Sequence, residues 1–157
     1  MKNTNETNYF DNCRPTQRGS IFDSLDELKM ADTKVLIIED NEIHRSNLSK
    51  LLSEYGVISD IAKNADEAIA YFTTNDYDMI MIDYLMTPDQ SGIETIKQIR
   101  DIKPKGSQQL IIGMTSAVTQ SVSNQFHSTD VDIILAKPIK RAHIATLLKR
   151  EFPDKVL

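Results

Sequence analysis

Residues 79–83 read Met79-Ile80-Met81-Ile82-Asp83, an apolar run that ends in a carboxylate. A continuous apolar run of this length is typical of a strand buried on both faces of a parallel sheet. Similar runs with polar endings are Val35-Leu36-Ile37-Ile38 before Glu39-Asp40, Leu110-Ile111-Ile112-Gly113-Met114 before Thr115-Ser116, and Ile133-Ile134-Leu135-Ala136 before Lys137-Pro138. The chain therefore repeats one pattern, a buried strand that ends in polar side chains.

Segments with helical periodicity separate these runs, so strands and helices alternate along the chain. We predict strands at 34–39, 57–61, 78–83, 109–114 and 131–136, and helices at 42–55, 65–75, 91–102, 117–127 and 140–151. Strict alternation is typical of α/β folds, and right-handed crossovers leave few topologies. The prediction is a doubly wound, five-stranded parallel sheet with helices on both faces. Gly56 is expected to adopt the αL conformation that ends the first helix.

Composition and charge fit one domain of ordinary size. The chain has 157 residues, of which 40% are hydrophobic and 26% charged, close to a globular average. A net charge of −5 argues against a nucleic-acid partner, and the apolar runs are too short to cross a bilayer. No secretory signal is visible in residues 1–20. Cys13 is the only cysteine, so a cytoplasmic protein without an internal disulfide is expected.

The first 31 residues are predicted to be an extension of a domain that covers residues 32–157. Residues 1–20 are polar and are predicted to be disordered. Residues 21–30 carry apolar side chains at roughly helical spacing, and Ser20 could cap their start, which predicts a short amphipathic helix. That helix either covers the domain surface or binds a partner, and the sequence leaves both open.

Because the carboxyl ends of parallel strands meet at one edge of a sheet, the polar endings are expected to converge. Glu39, Asp40 and Asp83 would repel one another there, and a cation resolves the conflict. Mg²⁺ fits best because it takes oxygen ligands from few carboxylates, water and phosphate. Lys137 could then neutralise, and Thr115 could donate to, the oxygens of a phosphoryl group. Asp83 would be the nucleophile that forms an acyl phosphate.

Each of these residues also has a purely structural interpretation. A Thr at a strand end often caps a helix, a Lys there is usually solvated, and an Asp before a turn is common. Their joint occurrence at one edge favours the functional interpretation. The histidines His44, His127 and His143 fall on predicted helices and are expected to be solvated or partly buried. A zinc site is therefore not predicted.

Together these segments resemble the receiver domain of two-component response regulators. The resemblance covers about residues 33–152. It is carried by Val35-Leu36-Ile37-Ile38-Glu39-Asp40-Asn41, Met81-Ile82-Asp83 with Met86 and Gly92 after it, Ile111-Ile112-Gly113-Met114-Thr115-Ser116, and Ala136-Lys137-Pro138-Ile139. The acidic pair followed by Asn, and Lys-Pro-Ile, also resemble receivers of hybrid kinases and phosphorelays. The resemblance implies a flavodoxin-like fold with strand order 2-1-3-4-5.

The resemblance also implies a chemistry. Asp83 would accept a phosphoryl group from a histidine kinase or a histidine phosphotransfer protein. Asp40 and Asp83 would bind Mg²⁺ directly, together with the backbone carbonyl of Leu85, and Glu39 would act largely through water.

Phosphorylation is expected to change a surface of the domain. Thr115 and Lys137 would contact the phosphoryl oxygens and shift the loops around them. Helix 117–127 contains weak helix formers and is expected to be the mobile element. The surface of this helix, strand 131–136 and helix 140–151 would then bind a downstream protein or a second copy as a homodimer.

Several residues depart from the family pattern. The turn after Asp83 is one residue longer than usual before Gly92, and Ser116 replaces a small Ala. Ile134 stands where an aromatic switch residue is common, so the flip of an aromatic ring cannot occur there. Leu85 offers no group to orient water, which predicts slow self-dephosphorylation.

Three other functions would use parts of the same residue pattern. A metal-dependent phosphohydrolase could also use Asp83 as nucleophile, but such enzymes often carry a second acid where this chain has Leu85. A degenerate receiver acting as a scaffold would not need the intact polar set, and a nucleotide-binding module would need a Gly-rich loop after the first strand. Six residues follow the last predicted helix, so a stand-alone receiver that is not an enzyme is expected.

Overall fold

The structure is a computed structural model that describes residues 28–87, 90–102, 104–116, 119–128 and 131–157. Five parallel strands form one sheet in the order β2-β1-β3-β4-β5. The strands are β1 (Lys34–Ile38), β2 (Ile58–Ala62), β3 (Met79–Asp83), β4 (Ile111–Thr115) and β5 (Ile133–Ala136). The predicted fold class and strand order are therefore confirmed.

Five helices of nine or more residues connect or follow these strands within the described ranges. They are α1 (Glu42–Glu54), α2 (Ala65–Thr74), α3 (Gly92–Arg100), α4 (Gln120–Ser128) and α5 (Arg141–Glu151). A short helix, Lys105–Gln108, follows α3 and was not predicted, because four residues are too few to show helical periodicity. Across the described ranges, no helix combines the length and apolar character needed to span a membrane.

The core consists of two apolar layers, one on each face of the sheet. Successive strand residues point to opposite faces, so Val35 and Ile37 belong to one layer whereas Leu36 and Ile38 belong to the other. Side chains of α1 and α5 complete the first layer, and side chains of α2 and α3 complete the second. Because both faces are covered, the polar strand ends are left at the edges of the sheet.

The ends of α1 are fixed by local hydrogen bonds. The side chain of Asn41 accepts a hydrogen bond from the backbone N–H of His44 at 3.0 Å, which is the geometry of an N-cap. Gly56 follows the helix with a φ of +80°, as predicted. The helix therefore starts directly beside the acidic pair Glu39-Asp40.

Residues 28–31 already belong to the packed domain. Leu28 and Met30 are buried in the first apolar layer, and Met30 forms an antiparallel β-bridge with Val156. The backbone N–H of Leu157 donates to the carbonyl of Lys29 at 2.9 Å. The prediction that the helix at 21–30 includes residues 28–30 is therefore wrong. Buried Leu28 and Met30 alternate with exposed Lys29, as side chains do in a strand. Residues 1–27 lie outside the described ranges.

Candidate functional site

Three carboxylates meet at the carboxyl edge of the sheet. Ile38 pairs with Ile82 across β1 and β3, so the next residues, Glu39 and Asp83, leave neighbouring strands side by side. One carboxylate oxygen from each of Glu39, Asp40 and Asp83 lies within 4.8 Å of the others. Glu39 and Asp83 are buried and Asp40 is exposed. The structure brings the predicted acidic residues together in a half-open cluster.

Lys137 adds a positive charge to this cluster. Its Nζ lies 2.7 Å from Oε2 of Glu39 and 3.1 Å from Oδ1 of Asp83. The peptide bond between Lys137 and Pro138 is cis, which the sequence allowed. The ammonium therefore bridges the two buried carboxylates.

The cluster remains short of positive charge. Burial, followed by the charge of Glu39, raises the pKa of Asp83 to about 6, although Lys137 acts in the opposite direction. Burial and the charge of Glu39 also raise the pKa of Asp40. One ammonium is thus not enough to offset three carboxylates in this setting, and a further cation or a proton is favoured.

Thr115 and Ser116 follow β4 next to this cluster. Asp83 pairs with Met114, so Thr115 lies one residue beyond the residue that faces Asp83. Thr115 is buried, and its carbonyl accepts a hydrogen bond from the backbone N–H of Lys137 at 2.8 Å. Ser116 is exposed. Of the two adjacent hydroxyl residues, Thr115 is the one enclosed by the domain.

The longer turn after Asp83 forms a small hairpin. Its two strands, Leu85–Thr87 and Gln90–Ser91, pair Leu85 with Ser91 and Thr87 with Gln90, so Met86 is the extra residue of a β-bulge. The greater length of this turn relative to the family pattern remains a prediction. The role of the Leu85 carbonyl in metal binding remains a prediction.

Gly92 closes this turn against the backbone of Asp83. A Cβ at Gly92 would lie 2.2 Å from the carbonyl oxygen of Asp83, and the N–H of Gly92 donates to the carbonyl of Tyr84 at 2.8 Å. Only glycine can be accommodated where the backbone of residue 92 comes this close to the carbonyl of Asp83. The start of α3 is therefore held against the strand end that carries Asp83.

Tyr84 links this turn to α4. Its hydroxyl donates to Oε1 of Gln125 at 2.5 Å, while its backbone N–H donates to the carbonyl of Met114 at 2.8 Å. Ile134 is buried in the second apolar layer. Sequence reasoning missed the Tyr84–Gln125 contact, because 41 residues separate the partners and no local pattern connects them.

His44 has an exposed side chain, as predicted, but its contact with Lys137 was not predicted. Its Nδ1 lies 3.1 Å from Nζ of Lys137 and 3.8 Å from Oε1 of Glu39. Its position in the first turn of a helix that begins at the acidic edge was the available signal. His143 lies in α5 as predicted, and the side chain of His127 lies outside the described residues.

A cavity of about 390 Å³ opens beside Lys137 between α1 and the segment 137–139. Its wall combines polar and apolar side chains. It is lined by Glu39, His44, Asn47, Leu48, Leu51, Met114, Ser116, Lys137, Pro138 and Ile139.

A family model described as the response regulator receiver domain matches residues 35–149. The chain belongs to this family. The receiver is 30% identical over 129 residues to a two-component response regulator of Arabidopsis thaliana, covering 80% of this chain and 88% of that protein. Sensor and hybrid histidine kinases also contain matching segments, and there the receiver spans only 6 to 13% of their length.

Two solved structures illustrate the likeness in three dimensions. The first is the receiver domain of a Pseudomonas aeruginosa sensor histidine kinase, with a magnesium ion in its active-site cleft. It is 25% identical, with a TM-score of 0.70, and the match covers 76% of this receiver and 97% of that chain. The second is the receiver domain of Ssk1, crystallised with the histidine phosphotransfer protein Ypd1 of Saccharomyces cerevisiae. It is 24% identical, with a TM-score of 0.68 and coverage of 76% and 88%, which shows the shared fold.

The family assignment confirms the resemblance drawn from the strand-end motifs. Receivers are signalling modules of two-component and phosphorelay systems and are generally not enzymes. The acidic cluster is of the kind at which receivers typically bind Mg²⁺.

Proposed function

We propose that this receiver accepts a phosphoryl group on Asp83 from the phosphohistidine of a histidine kinase or a histidine phosphotransfer protein. The observation that carries the proposal is the position of Asp83. It is a buried carboxylate at a strand end with the Lys137 ammonium at 3.1 Å and two further carboxylates beside it. The solved complex of the phosphotransfer protein Ypd1 with the Ssk1 receiver supports a donor of this class.

The transfer forms one bond and breaks one. A carboxylate oxygen of Asp83 attacks phosphorus, the phosphorus–nitrogen bond of the donor breaks, and the imidazole nitrogen keeps the electron pair. Lys137 balances the charge that collects on the phosphoryl oxygens, and the Thr115 hydroxyl donates a hydrogen bond to one of them. The product is an acyl phosphate.

The acidic cluster fits Mg²⁺. All its donors are carboxylate oxygens. The pKa values of Asp83 and Asp40 are raised first by burial and then by the negative charge of Glu39, and this cation would offset that charge. Asp40 and Asp83 would bind the ion directly, with the Leu85 carbonyl, and Glu39 would act mainly through water. When bound, Mg²⁺ supplies positive charge that brings the phosphoryl group and the carboxylates together. The magnesium in the Pseudomonas receiver supports this assignment.

The output surface includes α4, β5 and α5. Ile134 has no aromatic ring that could couple the phosphorylation site to α4. The contact between Tyr84 and Gln125 offers a different route, because Tyr84 directly follows Asp83 and Gln125 lies on α4. A shift of the turn after Asp83 would pull on this contact and change the surface of α4. A downstream protein, or a second copy in a homodimer, would bind the changed surface.

The phosphorylated state is expected to be long-lived. Leu85, two residues after Asp83, cannot orient a water molecule for attack on the acyl phosphate. The receiver would act as a phosphoacceptor and not as a turnover enzyme.

The proposal is tested by intact mass spectrometry. The protein is incubated with Mg²⁺ and acetyl phosphate, and separately with a phosphorylated histidine phosphotransfer protein. A gain of one phosphoryl mass in the wild type, absent in Asp83→Ala and in EDTA, is expected. No gain with any donor would refute the proposal, and a gain that persists in Asp83→Ala would move it to another residue.

A further inference from the structure

A protein that phosphorylates Asp83 has to cover the rim of the acidic cluster. Asp83 is only 7% exposed, and the side chain of Lys137 beside it is 13% exposed. Reacting atoms must come to about 3–3.5 Å of each other before a bond forms. The phosphohistidine ring of a protein donor therefore enters the cluster, and the donor surface around that ring lies against the rim. A small donor such as acetyl phosphate makes no such contact.

The cavity between α1 and residues 137–139 forms part of this rim. Glu39 and Lys137 belong both to the acidic cluster and to the cavity wall, and Nζ of Lys137 lies 3.1 Å from Asp83. The apolar residues of the wall are Leu48, Leu51, Met114, Pro138 and Ile139. Since a cavity of about 150 Å³ holds benzene, the volume of about 390 Å³ leaves room for a branched or aromatic side chain.

Ile43 places a further apolar side chain next to this cavity. It is 69% exposed and lies four residues before Asn47, which lines the cavity, and side chains at this spacing are neighbours on a helix. None of the other exposed large apolar side chains in the described ranges lines the cavity. They are Ile58, Tyr71, Val156 and Leu157. The apolar surface at the acidic edge therefore combines Ile43 with the cavity, and polar residues surround it, as is typical of a protein-binding site.

The other flank of Asp83 is occupied by the domain itself. On the side of α3, the backbone N–H of Gly92 donates to the carbonyl of Tyr84 at 2.8 Å, and the hydroxyl of Tyr84 donates to Gln125 on α4. The turn after Asp83 and the start of α3 thus fill this flank. The α1 side, with its cavity, is the flank that a donor can cover.

We propose that Ile43 and this cavity are the docking surface for the donor protein, and that an apolar side chain beside the donor's phosphohistidine enters the cavity. The inference rests on the proposed function, because it requires a histidine-containing donor for Asp83. Docking holds the donor without touching the reacting atoms. Its loss should therefore raise the KM for a protein donor, with little change in the maximal rate, and should leave the reaction with acetyl phosphate unchanged.

The test compares two phosphodonors on the full chain at saturating Mg²⁺. Phosphoryl gain is followed by intact mass spectrometry with acetyl phosphate and with a concentration series of phosphorylated Ypd1, the phosphotransfer protein of the solved Ssk1 complex. Ile43→Ala should lower kcat/KM for phosphorylated Ypd1 roughly five- to thirtyfold, because it truncates an apolar contact at the centre of the interface. Its rate with acetyl phosphate should stay within about twofold of the wild type.

A second variant and a matched control complete the design. Asn47 is exposed and lines the cavity, so Asn47→Trp fills the cavity against the donor and should lower the same kcat/KM at least roughly tenfold. Ile58→Ala is the matched control. Ile58 is 64% exposed, but it starts β2 at the opposite edge of the sheet, so this variant should react with both donors as the wild type does.

Each result either supports or overturns the docking surface. Selective loss with phosphorylated Ypd1 in Ile43→Ala and Asn47→Trp, with Ile58→Ala unchanged, supports it. An unchanged kcat/KM in Ile43→Ala, or an equal loss with both donors, overturns it and leaves the proposed function intact. Unchanged transfer together with loss of a dimer in gel filtration also overturns it and assigns the surface to a second copy. A wild type that reacts with acetyl phosphate but not with phosphorylated Ypd1 counts against the surface, whereas a wild type that reacts with neither donor refutes the proposed function.

Discussion

Replacing Asp83 with Asn should stabilise the metal-free receiver at pH 8. Burial and the charge of Glu39 raise the pKa of Asp83 to about 6 from an ordinary value of 3.8. Each unit of such a shift corresponds to about 1.4 kcal/mol, so the ionised carboxylate costs up to about 3 kcal/mol of folding free energy. Asn has nearly the same shape without the charge, and Asp83→Asn should recover most of that amount.

The direction of the pH dependence follows from the same shift. Below about pH 4 the carboxyl is protonated in both states, and ionisation contributes nothing. Between about pH 4 and 6 the unfolded chain loses its proton first, so the wild type becomes less stable as the pH rises. Above pH 6 the carboxyl is ionised in both the folded and the unfolded wild type, so the free energy of unfolding no longer changes with the ionisation of Asp83. The advantage of Asp83→Asn should therefore shrink as the pH falls from 6 towards 4.

Urea unfolding in EDTA at several pH values measures this free energy. Asp78→Asn is a suitable control, since Asp78 accepts from the N–H of Lys34 at 2.8 Å and pairs with Lys155 at 3.0 Å, so its loss should destabilise. Mg²⁺ should stabilise the wild type, by about 2.7 kcal/mol at a hundred times its dissociation constant, and leave Asp83→Asn nearly unchanged. If Asp83→Asn were no more stable than the wild type at pH 8 without metal, the argument from buried charge would be refuted.

Three further predictions concern neighbouring residues. Lys137→Ala should slow phosphorylation by acetyl phosphate at least roughly tenfold, because the charge that balances the phosphoryl oxygens is lost; equal rates in a mass-spectrometric time course would contradict this. Gly92→Ala should lower the free energy of urea unfolding by about 1–3 kcal/mol, since its Cβ would meet the Asp83 carbonyl oxygen at 2.2 Å; a change below about 0.5 kcal/mol would show that the turn adjusts. Tyr84→Phe and Gln125→Ala should each speed amide exchange in α4 roughly two- to tenfold, and the double variant should resemble either single one; additive effects would mean that the two side chains act separately.

The strand-end residues could be predicted because their position depends on local signals alone. The change from an apolar run to Glu39-Asp40 or Asp83 shows where each strand ends. Because the strands are parallel, their carboxyl ends lie at the same edge of the sheet.

The contacts that were not predicted depend on how separate elements are placed. His44 reaches Lys137 because α1 begins at Glu42, directly after the acidic pair. Tyr84 reaches Gln125 because α4 lies beside the turn that follows Asp83. Leu28 and Met30 looked helical together with earlier apolar residues, whereas tertiary pairing with Val156 decides their conformation. These contacts are set by the packing of segments that are distant in the sequence, and the local residue pattern does not determine that packing.

The β-bridge between Met30 and Val156 has a practical meaning for work on this molecule. It brings both described ends of the receiver to the amino-terminal side of the sheet, where β1 starts at Lys34, and so away from Asp83. A fluorescent reporter placed on residue 29 or residue 157 would therefore stand at the opposite end of the sheet from the acidic cluster.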